Sequence, residues 1–346
     1  MAASNTIAVL ERNADLLRGR LGLIGLPAAE LPAALNRGDG PPLVITEHAG
    51  VASALQIAGG CEVRFGYAGT QADGGHYDTV VVFVPKARQA LDMQLALAQA
   101  LLAQGGRLVL VGEKREGVAG AARQLQALAP DAVKVDSARH CQVWTARPPE
   151  TGIAFDPDAW VKWHDIALAE TRIQVAGLPG IFSEGRLDEG TARLLESLAR
   201  YPVRGPVLDF ACGAGVIGSW LQARFPTLGA VDGVDVQAQA VACAAKTYER
   251  NHARGSIIAS DGLPGDLGRY GTIVTNPPFH SGVRTDTSMT EQFLRQARAH
   301  LQPGGELRLV ANRFLPYQPL LAQHIGECRL LSEDRRFAVY QARVPS

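Results

Sequence analysis

The chain has few cysteines for its length, and they are scattered. Cys61, Cys141, Cys212, Cys243 and Cys328 form no Cys-x-x-Cys pair. That excludes a zinc ribbon or a disulfide framework and suits the reduced thiols of a cytoplasmic protein. Net charge is missing as well, with 34 Lys and Arg against 34 Asp and Glu. A neutral chain does not hold a polyanion by bulk charge alone, so any nucleic-acid contact must come from a local basic face. No apolar run is long enough to span a bilayer. The opening Met1-Ala2-Ala3-Ser4-Asn5-Thr6 lacks the basic region and apolar stretch of a signal peptide. Neither a metal site nor membrane association is expected. Apolar residues are plentiful instead, 47% of 346, enough for about two domains with sizeable cores.

The most informative segment is Asn276-Pro277-Pro278-Phe279, which follows the strand-like run Thr272-Ile273-Val274-Thr275. Proline fixes φ and removes a backbone donor, so such a turn is stiff and rich in acceptors. The Asn276 side-chain oxygen and the Pro277 carbonyl can hold the two hydrogens of an amino group on a flat ring. Phe279 can stack on that ring. An amino nitrogen conjugated to a ring is a poor nucleophile. Acceptors that favour its pyramidal form expose the lone pair for methyl transfer.

Upstream, Val207-Leu208-Asp209-Phe210-Ala211-Cys212-Gly213-Ala214-Gly215-Val216-Ile217-Gly218 reads as a strand, a glycine turn and a helix start. Gly213, Gly215 and Gly218 spell G-x-G-x-x-G, a loop that lets a ligand approach the backbone. Asp235 ends the next apolar run, suitably placed for ribose hydroxyls. Asp261 ends the segment after that. A nicotinamide dehydrogenase shares the glycine pattern. Asp209, just before the loop, favours a cationic amino group over a pyrophosphate. The order of acid, glycine loop, acid, acid and acceptor turn therefore points to S-adenosylmethionine followed by a methyl acceptor.

The chain also contains itself twice. Tyr77-Asp78-Thr79-Val80-Val81-Val82 matches Tyr270-Gly271-Thr272-Ile273-Val274-Thr275. Leu102-Ala103-Gln104-Gly105-Gly106 matches Leu301-Gln302-Pro303-Gly304-Gly305. Arg139-His140-Cys141 matches Arg335-Arg336-Phe337. The spacing is nearly constant. Helices are expected over residues 87–104 and 287–301, each ending at Gly-Gly. Strands alternating with helices imply mostly parallel sheets, with the last block of each copy as an antiparallel closing strand. The expected fold is α/β: two tandem doubly wound Rossmann-like methyltransferase domains, the first degenerate. The expected division is 1–148 for the first, 149–170 as linker and 171–346 for the catalytic domain. In the first copy Phe83-Val84-Pro85-Lys86 replaces the acceptor turn. Glu47-His48-Ala49-Gly50, after Val44-Ile45-Thr46, aligns best with the glycine loop. That copy should bind no cofactor. It could hold RNA, stabilise the second domain, or both. Asp188 is a candidate cap for the helix that follows it. Phe182 reads equally well as a pocket wall and as a core aromatic.

The chain resembles the ribosomal RNA small subunit methyltransferase C family. The likeness is carried by Gly180-Ile181-Phe182-Ser183, Leu187-Asp188-Glu189-Gly190-Thr191, Asp209-Phe210-Ala211-Cys212-Gly213-Ala214-Gly215, Asn276-Pro277-Pro278-Phe279-His280 and Val310-Ala311-Asn312-Arg313-Phe314-Leu315-Pro316-Tyr317. Val84-Pro85-Lys86 and Lys134-Val135-Asp136-Ser137-Ala138-Arg139 add to it, so the likeness runs nearly end to end. The resemblance implies methylation of a guanine N2 amine in 16S rRNA of the small subunit, by a cytoplasmic monomer using S-adenosylmethionine. It implies that Asp209, Gly213 and Gly215 line the methionine part of the cofactor. Asp235 would take the ribose hydroxyls and Asp261 the adenine amino group. Asn276 and Pro277 would receive the guanine amine, with Phe279 stacking; His280 would either act on the substrate or only shape the loop, the second being preferred. Rival readings are guanine-N2 methylation of large-subunit rRNA and glutamine-N5 methylation of a protein. RNA contacts are expected from Arg284, Arg295, Arg298, Arg313, Arg335 and Arg336, the last two flanking Phe337.

Overall fold

A computed structural model describes residues 4–69, 74–277 and 287–346. The chain divides into two compact units, Met1–Trp160 and Val161–Ser346.

The first unit runs α1 (Asn5–Arg12), β1 (Leu21–Ile24), β2 (Leu43–Thr46), α2 (Ala49–Ala58), β3 (Glu62–Phe65), β4 (Tyr77–Phe83), α3 (Arg88–Leu101), β5 (Leu102–Glu113), α4 (Val118–Leu128), β6 (Val133–Asp136) and β7 (Cys141–Ala146). Its sheet has the order β3-β2-β1-β4-β5-β7-β6. The first five strands are parallel, and β7 lies antiparallel to both β5 and β6. Every residue of β1 and β2 is buried. A parallel strand covered on both faces must be apolar throughout, which explains their short Leu, Val and Ile runs. Leu23, Val44, Val81 and Val109 form the core with Ile7 and Leu10 of α1.

The second unit begins with a hairpin of β8 (Lys162–Leu168) and β9 (Thr171–Gly177). Then follow α5 (Glu189–Arg200), β10 (Val207–Phe210), α6 (Val216–Arg224), β11 (Val231–Asp235), α7 (Ala238–Arg250), β12 (Ile257–Ala259), β13 (Tyr270–Thr275), α8 (Thr287–Ala299), β14 (Leu301–Asn312), α9 (Tyr317–His324), β15 (Glu327–Glu333) and β16 (Phe337–Arg343). The sheet order is β12-β11-β10-β13-β14-β16-β15, the first unit's order strand for strand. Leu208, Ile273 and Leu307 meet Phe293 and Leu294 of α8 in its core.

Three details differ from the sequence reading. The helices α3 and α8 stop at Leu101 and Ala299, short of the Gly-Gly pairs. Leu102 already pairs with Tyr77 and Leu301 with Tyr270, so the chain is in the sheet before the glycines, which form a bulge. Segment 149–170 is no simple linker, because β8 lies within it and pairs along its whole length with β9. Its sequence hides this: only Ile166 of that strand is buried, so apolar alternation is weak.

The third difference concerns the repeat. Matching β4 to β13, as the repeat does, places Leu23 opposite Val81 where Asp209 is opposite Val274. The strand equivalent to β10 is therefore β1, not β2. The segment Glu47-His48-Ala49-Gly50 follows the counterpart of β11, and Thr46 stands where the second unit has Asp235. The counterpart of the glycine loop is Gly25-Leu26-Pro27, which has no G-x-G-x-x-G. The register thus puts Leu23, Thr46 and Phe83 in place of Asp209, Asp235 and Asn276. The Gln94 side chain lies 3.0 Å from where a Cβ on Gly25 would be. Its Nε2 donates to Glu47 at 2.8 Å, and the Tyr67 hydroxyl donates to the same carboxylate. Side chains occupy the strand ends here. Titration with S-adenosylhomocysteine is expected to give one site per chain, and two equivalents would contradict this assignment.

Candidate active site

The second sheet's register brings the two sequence motifs together. Phe210 pairs with Thr275, so Ala211 and Asn276 leave the sheet side by side at its carboxyl edge. The Thr275 hydroxyl donates to the Phe210 carbonyl at 2.8 Å and ties the two strand ends. Below them Phe210 stacks on Phe293, ring centroids 4.3 Å apart. Crevices outside the carboxyl ends of parallel strands are where ligands bind in such sheets.

The glycine loop turns through Ala211, Gly213 and Gly215, all at positive φ. The Gly213 amide donates to Asp235 Oδ2 at 2.8 Å, and the Gln237 amide to Oδ1 at 2.9 Å. Asp235, at the end of β11, therefore anchors the loop from its neighbouring strand. A carboxylate offers about four lone-pair sites, so ribose hydroxyls can still be accepted. A Cβ on Gly213 would meet nothing within 4 Å, which leaves open space over the loop. A Cβ on Gly218 would fall 1.8 Å from the Tyr248 hydroxyl oxygen, so only glycine lets α6 pack on α7. The Gln237 side chain donates to the Gly180 carbonyl at 3.2 Å, joining segment 180–182 to the same edge. Phe182 is 68% exposed, which rules out the core alternative.

Asp209 has no exposed surface. Neither of its oxygens meets a partner at full hydrogen-bonding geometry among the described residues. Burial pushes its carboxyl well above the ordinary value; the Gly218 amide opposes this in part, and the nearby Asp235 charge adds a smaller push upward. Burial also raises Asp235, though the amides of Gln237, Gly213 and Val236 oppose it. A buried, unpartnered carboxyl beside an open glycine cradle fits a ligand with a cationic amino end. The sign for the empty protein follows. Folding favours protonated Asp209, so its stabilising effect is complete below the ordinary value of 3.8 and is lost as pH rises through the raised native value. Asp209→Asn is expected to raise the melting temperature of the cofactor-free protein at neutral pH and to weaken S-adenosylmethionine binding. The gain should shrink on acidification. A lower melting temperature at every pH would refute it.

Cys212 lies in the same loop. Burial, then the charges of Asp209 and Asp235, push its thiol well above the ordinary value, so it is no thiolate nucleophile. Asp261 lies exposed beyond β12, two residues past Ala259, which pairs with Asp235. Phe279, His280 and Arg284 lie outside the described residues, so their expected roles stay with the sequence reading.

Of the other expected RNA contacts, Arg298 donates to the carbonyls of His324 and Ile325 and so caps α9. Arg295 pairs with Glu291 at 3.6 Å and Arg313 with Glu333 at 3.2 Å. Arg336 pairs with Glu189, and its guanidinium lies 5.3 Å from the Phe337 ring centroid. Arg335 is exposed beside them. Phe314, on the loop after β14, is 84% exposed. The sequence reading placed Asp188 correctly as the cap of α5, accepting from the amides of Gly190 and Thr191. It missed that Asn276 Nδ2 donates to Asp188 Oδ2 at 3.2 Å and to Thr191 Oγ1 at 3.0 Å. The motif Leu187-Asp188-Glu189-Gly190-Thr191 was the available signal.

Strand order, the glycine loop and the Asn276-Pro277 strand end beside it together define a Rossmann-type methyltransferase. Two family models divide the chain between them: Methyltransferase small domain N-terminal over residues 8–164 and Methyltransferase small domain over 172–341. The ribosomal RNA small subunit methyltransferase C of Ectopseudomonas mendocina is 44% identical, across 97% of this chain and 98% of its own. That of Pseudomonas aeruginosa is 43% identical with the same coverage. The T. thermophilus 16S rRNA guanine-N2 methyltransferase, solved with AdoMet and guanosine, superposes with a TM-score of 0.82 at 27% identity, over 96% of this chain and 91% of that one. The chain belongs to the ribosomal RNA small subunit methyltransferase C family.

Proposed function

We propose that the chain transfers the methyl group of S-adenosylmethionine to the N2 amine of a guanine in 16S rRNA of the small ribosomal subunit. The observation that carries this reading is the register of β10 with β13, which sets the glycine loop and Asn276-Pro277 side by side. Asp209, Gly213 and Gly215 receive the methionine part of the cofactor, Asp235 the ribose and Asp261 the adenine edge. When bound, the cofactor supplies a methyl carbon already activated on a sulfonium. The Asn276 side-chain oxygen and the Pro277 carbonyl accept the amine hydrogens, and Phe279 stacks on the base. These acceptors strengthen as the nitrogen pyramidalises, so they act mainly on the transition state. The amine sheds its proton after attack, so positioning dominates and no general base is assigned.

The first unit binds no cofactor and serves RNA contact, stability of the second unit, or both. Support for RNA contact comes from a cavity of about 300 Å³ where Lys86, Arg88 and Arg123 outnumber the one carboxylate, Glu116. The enzyme is assigned as a monomer of the cytoplasm. The five cysteines are free thiols, in keeping with that compartment. Among the described residues no helix is long and apolar enough to cross a membrane. Labelled methyl transfer from S-adenosylmethionine to assembled small subunits and to naked 16S rRNA, followed by mapping of the modified base, tests the reading. Label on a small-subunit protein, or transfer to large subunits offered in parallel in place of small ones, would overturn it.

A further inference from the structure

An asparagine amide is useful at this turn only one way round. Its oxygen can accept from the guanine amine, whereas its NH₂ group would confront another donor. The two ends differ little in size, so shape alone does not choose between them, and the surroundings must. Here both Nδ2 hydrogens have acceptors on the first turn of α5. One goes to Asp188 Oδ2 at 3.2 Å and the other to Thr191 Oγ1 at 3.0 Å. An ionised carboxylate only accepts, so it cannot face the amide oxygen favourably. Asp188 is itself held, its two oxygens accepting from the amides of Gly190 and Thr191 at 2.9 and 3.0 Å. Gly190 permits the approach. A Cβ there would lie 3.2 Å from the Phe337 ring and 3.3 Å from Asp188 Oδ1, tighter than side chains ordinarily accept, and would touch Asn276 Nδ2 at 3.4 Å.

We propose that Asp188 and Thr191 are positioning residues for methyl transfer: they fix the Asn276 amide so that Oδ1, and not Nδ2, meets the acceptor amine. This rests on the reading of Asn276 as the amine acceptor. The same carboxylate that caps α5 thereby sets the polarity of the active site. The two residues that do so lie 88 and 85 positions away in sequence.

Asp188→Asn separates the two roles, because asparagine caps helices about as well as aspartate. Its NH₂ group, turned toward Asn276, draws the amide oxygen and flips the acceptor away from the substrate; the remaining oxygen keeps the Gly190 amide, and the Thr191 amide loses its cap bond. The single-turnover rate on small subunits is expected to fall about 10²-fold, the scale for losing one preorganised hydrogen-bonding group. S-adenosylhomocysteine affinity should stay near wild type, and the melting temperature should fall by no more than the loss of one cap bond accounts for. Thr191→Val should lower the rate in the same direction, and Thr191→Ser should restore it. The double variant Asp188→Asn with Asn276→Asp presents a carboxylate oxygen to both the new amide and the substrate, so it should be faster than Asp188→Asn alone. If Asn276→Ala abolishes transfer while Asp188→Asn keeps the wild-type rate, the positioning role is wrong. A rate loss that tracks lower melting temperature and weaker cofactor binding overturns it too, leaving only a structural cap. If Asn276→Ala itself keeps the rate, the underlying acceptor assignment fails instead.

Discussion

Asn276→Ala is expected to lower the single-turnover methylation rate by about 10²–10³ while leaving cofactor affinity largely intact. The side chain follows the last residue of β13, outside the hydrogen bonds that hold the glycine loop to Asp235. Its removal takes away an acceptor whose bond to the amine grows as the nitrogen pyramidalises. The loss therefore falls on the transition state more than on substrate binding. Alanine also leaves Asp188 and Thr191 without their Asn276 donor, but Asp188 is the cap of α5 and Thr191 lies in its first turn, and the cap bonds remain. Single-turnover kinetics on small-subunit substrate, with calorimetry of S-adenosylhomocysteine in parallel, measures both quantities. A near-normal rate would remove the acceptor role from the Asn276-Pro277 turn. Phe279→Ala should act instead on RNA binding, through about 1–3 kcal/mol of lost stacking.

Asp235→Ala is expected to weaken S-adenosylhomocysteine binding by on the order of 2–4 kcal/mol, from two lost charge-assisted bonds to the ribose. At about 1.4 kcal/mol per factor of ten, that is roughly 30- to 1000-fold. The structure adds a second route to the same loss. Asp235 also receives the Gly213 and Gln237 amides, so alanine frees the glycine loop that must be preorganised for the ligand. Asp235→Asn separates the routes. Its one remaining carbonyl oxygen can hold one loop amide, so its deficit should fall between wild type and alanine. Calorimetry on folded protein decides. Unchanged affinity in Asp235→Ala would take Asp235 out of the cofactor site.

The glycine loop, the strand end at Asn276-Pro277 and the tandem repeat were legible in the sequence because each is a local requirement. Gly213 and Gly215 occupy backbone states that disfavour side chains, and a proline pair after an apolar run stiffens a strand end wherever it occurs. A repeated strand, helix and bulge has a repeated pattern of buried positions. What the sequence could not separate was β1 from β2. Both are four-residue buried strands, Leu-Gly-Leu-Ile and Leu-Val-Ile-Thr, and nothing local says which lies at the centre of the sheet. Pairing with β4 decides it, and with it which first-unit residues replaced Asp209, Asp235 and Asn276. Tertiary structure also decided the state of Asp209, since a carboxyl's charge depends on the water and partners removed around it. It decided the orientation of Asn276 too. Sequence supplies an amide with two unlike ends, and only the arrival of Asp188 and Thr191 from a distant helix engages its NH₂ end and leaves Oδ1 as the other.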